Sequence, residues 1–324
     1  MKRKIVYTWI LLALVVGLAW YNHQYYCYGY PFLTTLSGLS YKSIGNRGNG
    51  RQVKKHGEWI ELSLVMKAIP KKGAKDKQSS HTESILINNP EPFFLRFDQS
   101  FQSKYKQIAE MISMMQENQR MVFKCAPQYY LKEENPERLK QILKALHVHK
   151  DDELVTDIKL SKIMTDQAYN QMVETDRAAQ LAKDKQLITD YLATRHIKAS
   201  STDSGFFYII DQPAEATTPV VKGKTIKVHY TGRLLDGTIF DTSVEEVSKA
   251  NNLYNETNSY KPFVFQVGAG DVIKGLDEGV LLLKKHEKAR FFIPSTLAYG
   301  PDATGKPFPA NSILLFEVEV VDVC

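Results

Sequence analysis

Val228-His229-Tyr230-Thr231-Gly232, followed by Asp236-Gly237-Thr238-Ile239-Phe240-Asp241 and then Val272-Ile273-Lys274-Gly275-Leu276-Asp277-Glu278-Gly279, decides how this chain is read. The first segment closes a strand-like run from Thr225 to Tyr230. Asp236-Gly237 is a turn signal between two such runs. The third segment opens a short helical stretch, Gly275 to Leu282. Around it lie further runs of strand character: Phe206 to Ile210, Phe263 to Val267, Ala289 to Ile293 and Ile313 to Val323. Several strands around one short helix predict an α+β half-barrel over residues 200–324.

Three further segments keep register with the first ones. They are Lys261-Pro262-Phe263-Val264-Phe265, then Phe292-Ile293-Pro294 leading into Leu297-Ala298-Tyr299-Gly300, then Ala310-Asn311-Ser312-Ile313-Leu314-Leu315-Phe316-Glu317-Val318-Glu319. In this order and spacing the region resembles the FKBP-type peptidyl-prolyl cis/trans isomerases. The resemblance covers roughly the last third of the chain.

The resemblance implies an enzyme that needs no cofactor and no metal. Rotation about an X–Pro bond must break amide resonance, against a barrier of about 18–20 kcal/mol. No covalent bond has to be broken, so an apolar, water-poor pocket with a few fixed donors suffices. By resemblance, Tyr230, Phe240, Phe263, Val272, Ile273, Leu276, Tyr299 and Phe316 are the walls. Leu276 is expected at the floor, where many relatives carry Trp. The Tyr299 hydroxyl and the Ile273 backbone N–H would each hold a substrate carbonyl. Asp241 would orient its neighbours, not act as a base. Lys306-Pro307-Phe308-Pro309 departs from the family pattern, with Phe308 expected as a lid, and the insertion from Val244 to Tyr260 is expected to lengthen one rim. Catalytic roles thus fall on Tyr230, Phe240, Asp241, Ile273 and Tyr299, and substrate binding on Phe263, Val272, Leu276, Phe308 and Phe316. Phe265, Phe291 and Val318 read as core, and His229 as a satisfied strand residue.

Upstream, the pattern recurs in weaker form. Gly57-Glu58-Trp59-Ile60-Glu61-Leu62 parallels Gly223 to Val228, and Glu91-Pro92-Phe93-Phe94-Leu95 parallels Lys261 to Phe265. Glu110-Met111-Ile112 through Phe123 parallels Glu278-Gly279-Val280 through Phe291, and Leu154 to Ile163 parallels Leu314 to Val323. Residues 57–164 are therefore expected to be a degenerate second copy of the fold. Its functional positions are lost: Leu64 stands for Tyr230, no Phe-Asp pair follows, and Tyr129-Tyr130 lacks the following Gly. Strands are expected at Ile85 to Ile87, Phe93 to Phe97, Met121 to Cys125 and Leu154 to Leu160, and a helix at Ile108 to Met115. Between the copies, residues 165–199 form a long polar helix, read as a spacer with self-association through it as the alternative. Ser200 to Gly205 ends it as a turn.

At the N-terminus, Lys2-Arg3-Lys4 precedes an apolar run from Ile5 to Trp20. Residues 1–21 are expected to be a signal anchor or a cleaved signal peptide, which implies export and a cell-envelope location with contact to the membrane. Residues 22–56, with Gly45-Asn46-Arg47-Gly48-Asn49-Gly50, are read as a flexible tether.

Bulk properties fit. The 324 residues suffice for two domains, and 43% hydrophobic with 24% charged residues excludes wholesale disorder. From Asp211 onward there are 12 Lys/Arg against 15 Asp/Glu, leaving 30 against 21 upstream. No nucleic-acid motif frames the basic stretch after the apolar run. Cys27, Cys125 and Cys324 make no disulfide framework. The partners implied are X-Pro segments of folding proteins. The competing reading is a non-catalytic chaperone or interaction module that binds Pro-containing segments.

Overall fold

The computed structural model describes residues 32–324, apart from 46, 47, 54–56, 71–82, 131–135, 216 and 217. The expected signal segment and Cys27 lie outside the described residues. Two units divide the chain, residues 1–171 and 172–324.

The first unit opens earlier than its sequence pattern promised. β1 (Leu33–Thr34) and β2 (Ser40–Ile44) are antiparallel strands joined through Gly38, whose φ of +90° favours a residue without Cβ. Residues 33–44 are thus part of the sheet, which corrects the reading of 22–56 as one tether. β3 (Glu58–Ile69) follows, with Ile60, Leu62, Leu64, Met66 and Ala68 buried at every second position. β4 (Ser84–Phe97) is one strand of 14 residues, not two short ones. It contains Pro90 and Pro92 because it is an edge strand, where a missing N–H costs no ladder bond. Two helices, α1 (Gln99–Lys104) and α2 (Lys106–Ser113), lead to β5 (Gln119–Cys125). Met111 and Ile112 of α2 and the following Met115 are completely buried. The short α3 (Pro127–Tyr130) and α4 (Pro136–Ala145) precede β6 (Glu153–Met164). Strand order is β1-β2-β5-β6-β3-β4.

Helix α5 (Asp166–Thr194) spans the division between units. Its first turn belongs to the first unit: Tyr169 stacks on Trp59 at 3.7 Å, and Asp166 accepts from Trp59 Nε1 (2.9 Å) and Arg96 Nη2 (3.0 Å). Its C-terminal half is no free spacer. Ile188 and Leu192 are buried with Phe292, Ile313 and Leu315 of the second unit.

That unit repeats the strand order of the first. β7 (Ser200–Ser201) pairs with β8 (Phe207–Gln212), so residues 200–205 hold a short strand as well as the expected turn. After these come β9 (Thr225–Leu234), β10 (Ile239–Thr242), α6 (Glu245–Ala250), β11 (Phe263–Gln266), α7 (Lys274–Val280), β12 (Lys288–Ile293) and β13 (Leu314–Val323). Strand order is β7-β8-β12-β13-β9-β10, with β11 also on β9. Cross-strand partners correspond too. Tyr41 faces Phe123 and Phe123 faces Thr156; Tyr208 faces Phe291 and Phe291 faces Phe316. Leu64 faces Ile158 as Tyr230 faces Val318.

The opening turns share several hydrogen bonds. Thr35 N–H donates to the Leu39 carbonyl and Thr202 N–H to the Phe206 carbonyl, both at 2.9 Å. Ser37 Oγ donates to Glu110 (2.7 Å), and Ser204 Oγ to Glu278 (2.5 Å). Thr35-Leu36-Ser37-Gly38-Leu39 is therefore the counterpart of Thr202-Asp203-Ser204-Gly205-Phe206. The signal for the earlier start stood in the sequence.

Candidate active site

In the second unit the concave face of the sheet carries alternate residues of β9 and β13, and α7 lies across it. Tyr230 is flanked by Phe263 of β11, with ring centroids at 6.2 Å, and by Phe316 of β13 at 6.0 Å. Two residues on, Gly232 faces Phe316 across the ladder. A Cβ there would come within 2.6 Å of the Phe240 ring, so the glycine makes the space that Phe240 fills. Phe240 stands edge-on to Phe316 (5.8 Å) and to Phe308 (4.8 Å), and Phe308 meets Tyr299 at 5.5 Å. Leu276, in the first turn of α7, is 5% exposed, while Val272 and Ile273 in the approach to that helix join the same cluster. Ile273 is the N-cap residue, and its backbone N–H has no acceptor among the described residues. Of the ten residues selected from the sequence, Tyr230, Phe263, Phe316, Phe240, Phe308 and Tyr299 are thus linked ring to ring, and Val272, Ile273 and Leu276 belong to the same hydrophobic cluster.

Its polar groups are few. The Tyr230 hydroxyl donates to Asp241 Oδ2 at 2.8 Å. Burial pushes the phenol pKa up, and the bond to the Asp241 carboxylate adds to this. Desolvation and a neighbouring negative charge both disfavour the phenolate. Asp241 itself is exposed and fixes the Tyr230 ring. Lys306 places Nζ 4.4 Å from the centroid of the Tyr299 ring, at the mouth.

The insertion departs from expectation. Val244 and Val247 border a groove of about 480 Å³ lined by His229, Thr231, Glu317 and Glu319. Along β9 and β13 the side chains of His229, Thr231, Glu317 and Glu319 alternate with those of Tyr230, Phe316 and Val318, so Val244 and Val247 border the opposite face of the sheet. His229 is satisfied there, 3.0 Å from Ser243 Oγ.

Sequence reasoning quoted Gly232 without giving it a role. It also assigned nothing to Ser295, whose buried carbonyl accepts from both Ala298 and Gly300 at 2.9 Å and so shapes the turn carrying Tyr299.

In the first unit the same end is closed by the chain's own side chains. Met66 stands where Gly232 does and Thr156 where Phe316 does. The Tyr130 hydroxyl lies 2.9 Å from Thr156 Oγ1 and 3.5 Å from Met111 Sδ, and Tyr129 donates to Glu110 at 2.5 Å.

An aromatic cluster of this kind, on an antiparallel half-barrel over one short helix, fits a prolyl rotamase. Comparison with known proteins agrees. The family described as "FKBP-type peptidyl-prolyl cis-trans isomerase" matches residues 216–321. "FK506-binding protein 1" of Rhizopus delemar is 41% identical over 112 residues, 35% of this chain and 92% of that protein. "FK506-binding protein 2" of Dictyostelium discoideum is 39% identical over 112 residues, 35% of this chain and 74% of that protein. "FKBP-type peptidyl-prolyl cis-trans isomerase FkpA" of Aeromonas hydrophila is 32% identical over 173 residues, 52% of this chain and 58% of that protein. The chain belongs to the FKBP-type peptidyl-prolyl cis/trans isomerase family.

Proposed function

We propose that the second unit isomerises X-Pro bonds in exported, folding proteins of the cell envelope, and that the first unit is non-catalytic. The observation that carries the catalytic part is the run of ring contacts joining Tyr230, Phe316, Phe240, Phe308 and Tyr299, with Leu276 in the same hydrophobic cluster. A proline ring enters this socket and leaves bulk water. The planar, dipolar amide is poorly solvated there, whereas the twisted amide loses less, so the barrier falls. The Tyr299 hydroxyl and the Ile273 N–H hold carbonyls flanking the rotating bond, and Asp241 keeps Tyr230 in place. Export is supported by the basic, then apolar, N-terminal pattern of residues 1–21. Mass spectrometry of the mature N-terminus distinguishes an anchor from a cleaved signal.

A protease-coupled assay of the full chain on X-Pro peptides tests the enzyme. Tyr299→Phe removes one donor, a contribution of about 0.5–1.5 kcal/mol, and should lower kcat/KM roughly 2- to 13-fold. Phe240→Ala should lower it further, with the far-UV spectrum unchanged. Turnover equal to buffer, or indifferent to both substitutions, sinks this reading.

A second reading has one observation in its favour: the first unit keeps the strand order while Met66 and Thr156 replace Gly232 and Phe316 and Tyr130 bonds to Thr156. It then serves packing or binding of Pro-containing segments without turnover. Suppression of client aggregation that survives Tyr299→Phe and Phe240→Ala would establish that role.

A further inference from the structure

One buried acid in the second unit lies outside the pocket. Asp184, on the C-terminal half of α5, is completely buried. Its Oδ2 accepts from the Ser295 N–H at 2.8 Å and from Ser295 Oγ at 2.6 Å, and its Oδ1 accepts from Gln180 Nε2 at 2.7 Å. A buried carboxylate is retained only where its lone pairs are satisfied, and here a side chain of the helix and both donors of one residue satisfy it. Ser295 is itself completely buried, and its carbonyl receives the N–H groups of Ala298 and Gly300, the residues on either side of Tyr299. The helix is seated by Ile188 and Leu192 against Phe292, Ile313 and Leu315, so the carboxylate is held to the sheet that carries the pocket.

The first unit provides a contrast. Tyr129 N–H donates to the Ala126 carbonyl as Leu297 N–H donates to that of Pro294, which sets Pro127 opposite Ser295. Proline has neither the N–H nor the hydroxyl that Asp184 requires. The unit whose socket is closed thus also lacks both donors of this brace.

We propose that Asp184 is a positioning residue for Tyr299, acting through Ser295, and that the helix long enough to read as a spacer is an integral part of the isomerase unit. This rests on the isomerase reading of the same pocket. The carboxylate fixes the Ser295 peptide, the Ser295 carbonyl fixes the turn, and the turn aims the Tyr299 hydroxyl.

A double-mutant cycle in the full chain tests it, with X-Pro turnover and thermal unfolding measured for every variant. Below the melting transition, Asp184→Ala and Ser295→Ala should each lower kcat/KM by most of the factor that Tyr299→Phe costs and by no more, with Asp184→Asn, which keeps an acceptor, closer to wild type. In a Tyr299→Phe background the same substitutions should cost less than twofold more, because the group they position is gone. Val320→Ala, at a completely buried site in β13 outside the pocket, controls for stability alone and should keep activity within twofold. The proposal is overturned if Ser295→Ala is as active as the unsubstituted chain. It also fails if the losses multiply with Tyr299→Phe, or if Val320→Ala loses as much activity. Should Asp184→Ala not fold, Ser295→Ala, which removes one hydroxyl, decides alone. Absence of turnover in the unsubstituted chain would instead overturn the isomerase reading on which the proposal stands.

Discussion

Gly232 shows how a single missing atom shapes the site. The pocket needs Phe240 against Phe316, and a Cβ at position 232 would lie 2.6 Å from the first ring and 3.1 Å from the second. Gly232→Ala must therefore displace Phe240, and kcat/KM is expected to fall tenfold or more while the unit stays folded; an unaffected rate would show that the ring does not contact substrate. Tyr230 offers a test by pH. Burial and then Asp241 raise its pKa above the free value of about 10. The folded chain thus keeps a proton that the unfolded chain releases near pH 10. This contribution to stability is complete below about pH 10 and is lost as the pH rises beyond it. Absorbance at 295 nm should show late-ionising tyrosines, one fewer in Tyr230→Phe, and kcat/KM should stay flat from about pH 6 to 9.

For the elements, the decisive finding is that β1 and β2 complete the first sheet. A chain beginning at Gly57 would lack the strand that covers the edge of β5 and the Ser37 bond to Glu110. It would also lose Leu39 from the core, where that residue is completely buried. Trp59 is the sole tryptophan both in such a chain and in one beginning at Phe32. Its fluorescence should report a cooperative transition for the longer chain and none for the shorter. If both unfold alike, the two strands are dispensable. Helix α5 carries the matching lesson. Its sequence is polar nearly all round, which reads as a solvated spacer. A buried strip of only two apolar residues and one acid, each at four-residue spacing, is too sparse for a pattern to reveal.

Across the whole molecule, two copies of one fold have diverged in what fills the socket. Tyr130→Phe should remove the bond to Thr156 and lower the stability of the first unit by about 1 kcal/mol, leaving kcat/KM within twofold. A larger loss of turnover would mean that both units take part in catalysis. The charge difference, 30 Lys/Arg against 21 Asp/Glu upstream of Asp211 and 12 against 15 from there on, makes any affinity of the first part for anionic surfaces weaken with salt while turnover does not. The sequence by itself determined the half-barrel and the decay of the upstream copy. Strand alternation and ordered turn motifs are local signals that survive without coordinates. Only the tertiary structure decided on which face the 244–247 part of the insertion lies and that Asp184 reaches Ser295. Each of these is a contact between residues far apart in the chain, set by which face of a sheet or helix is buried, and no local pattern encodes it.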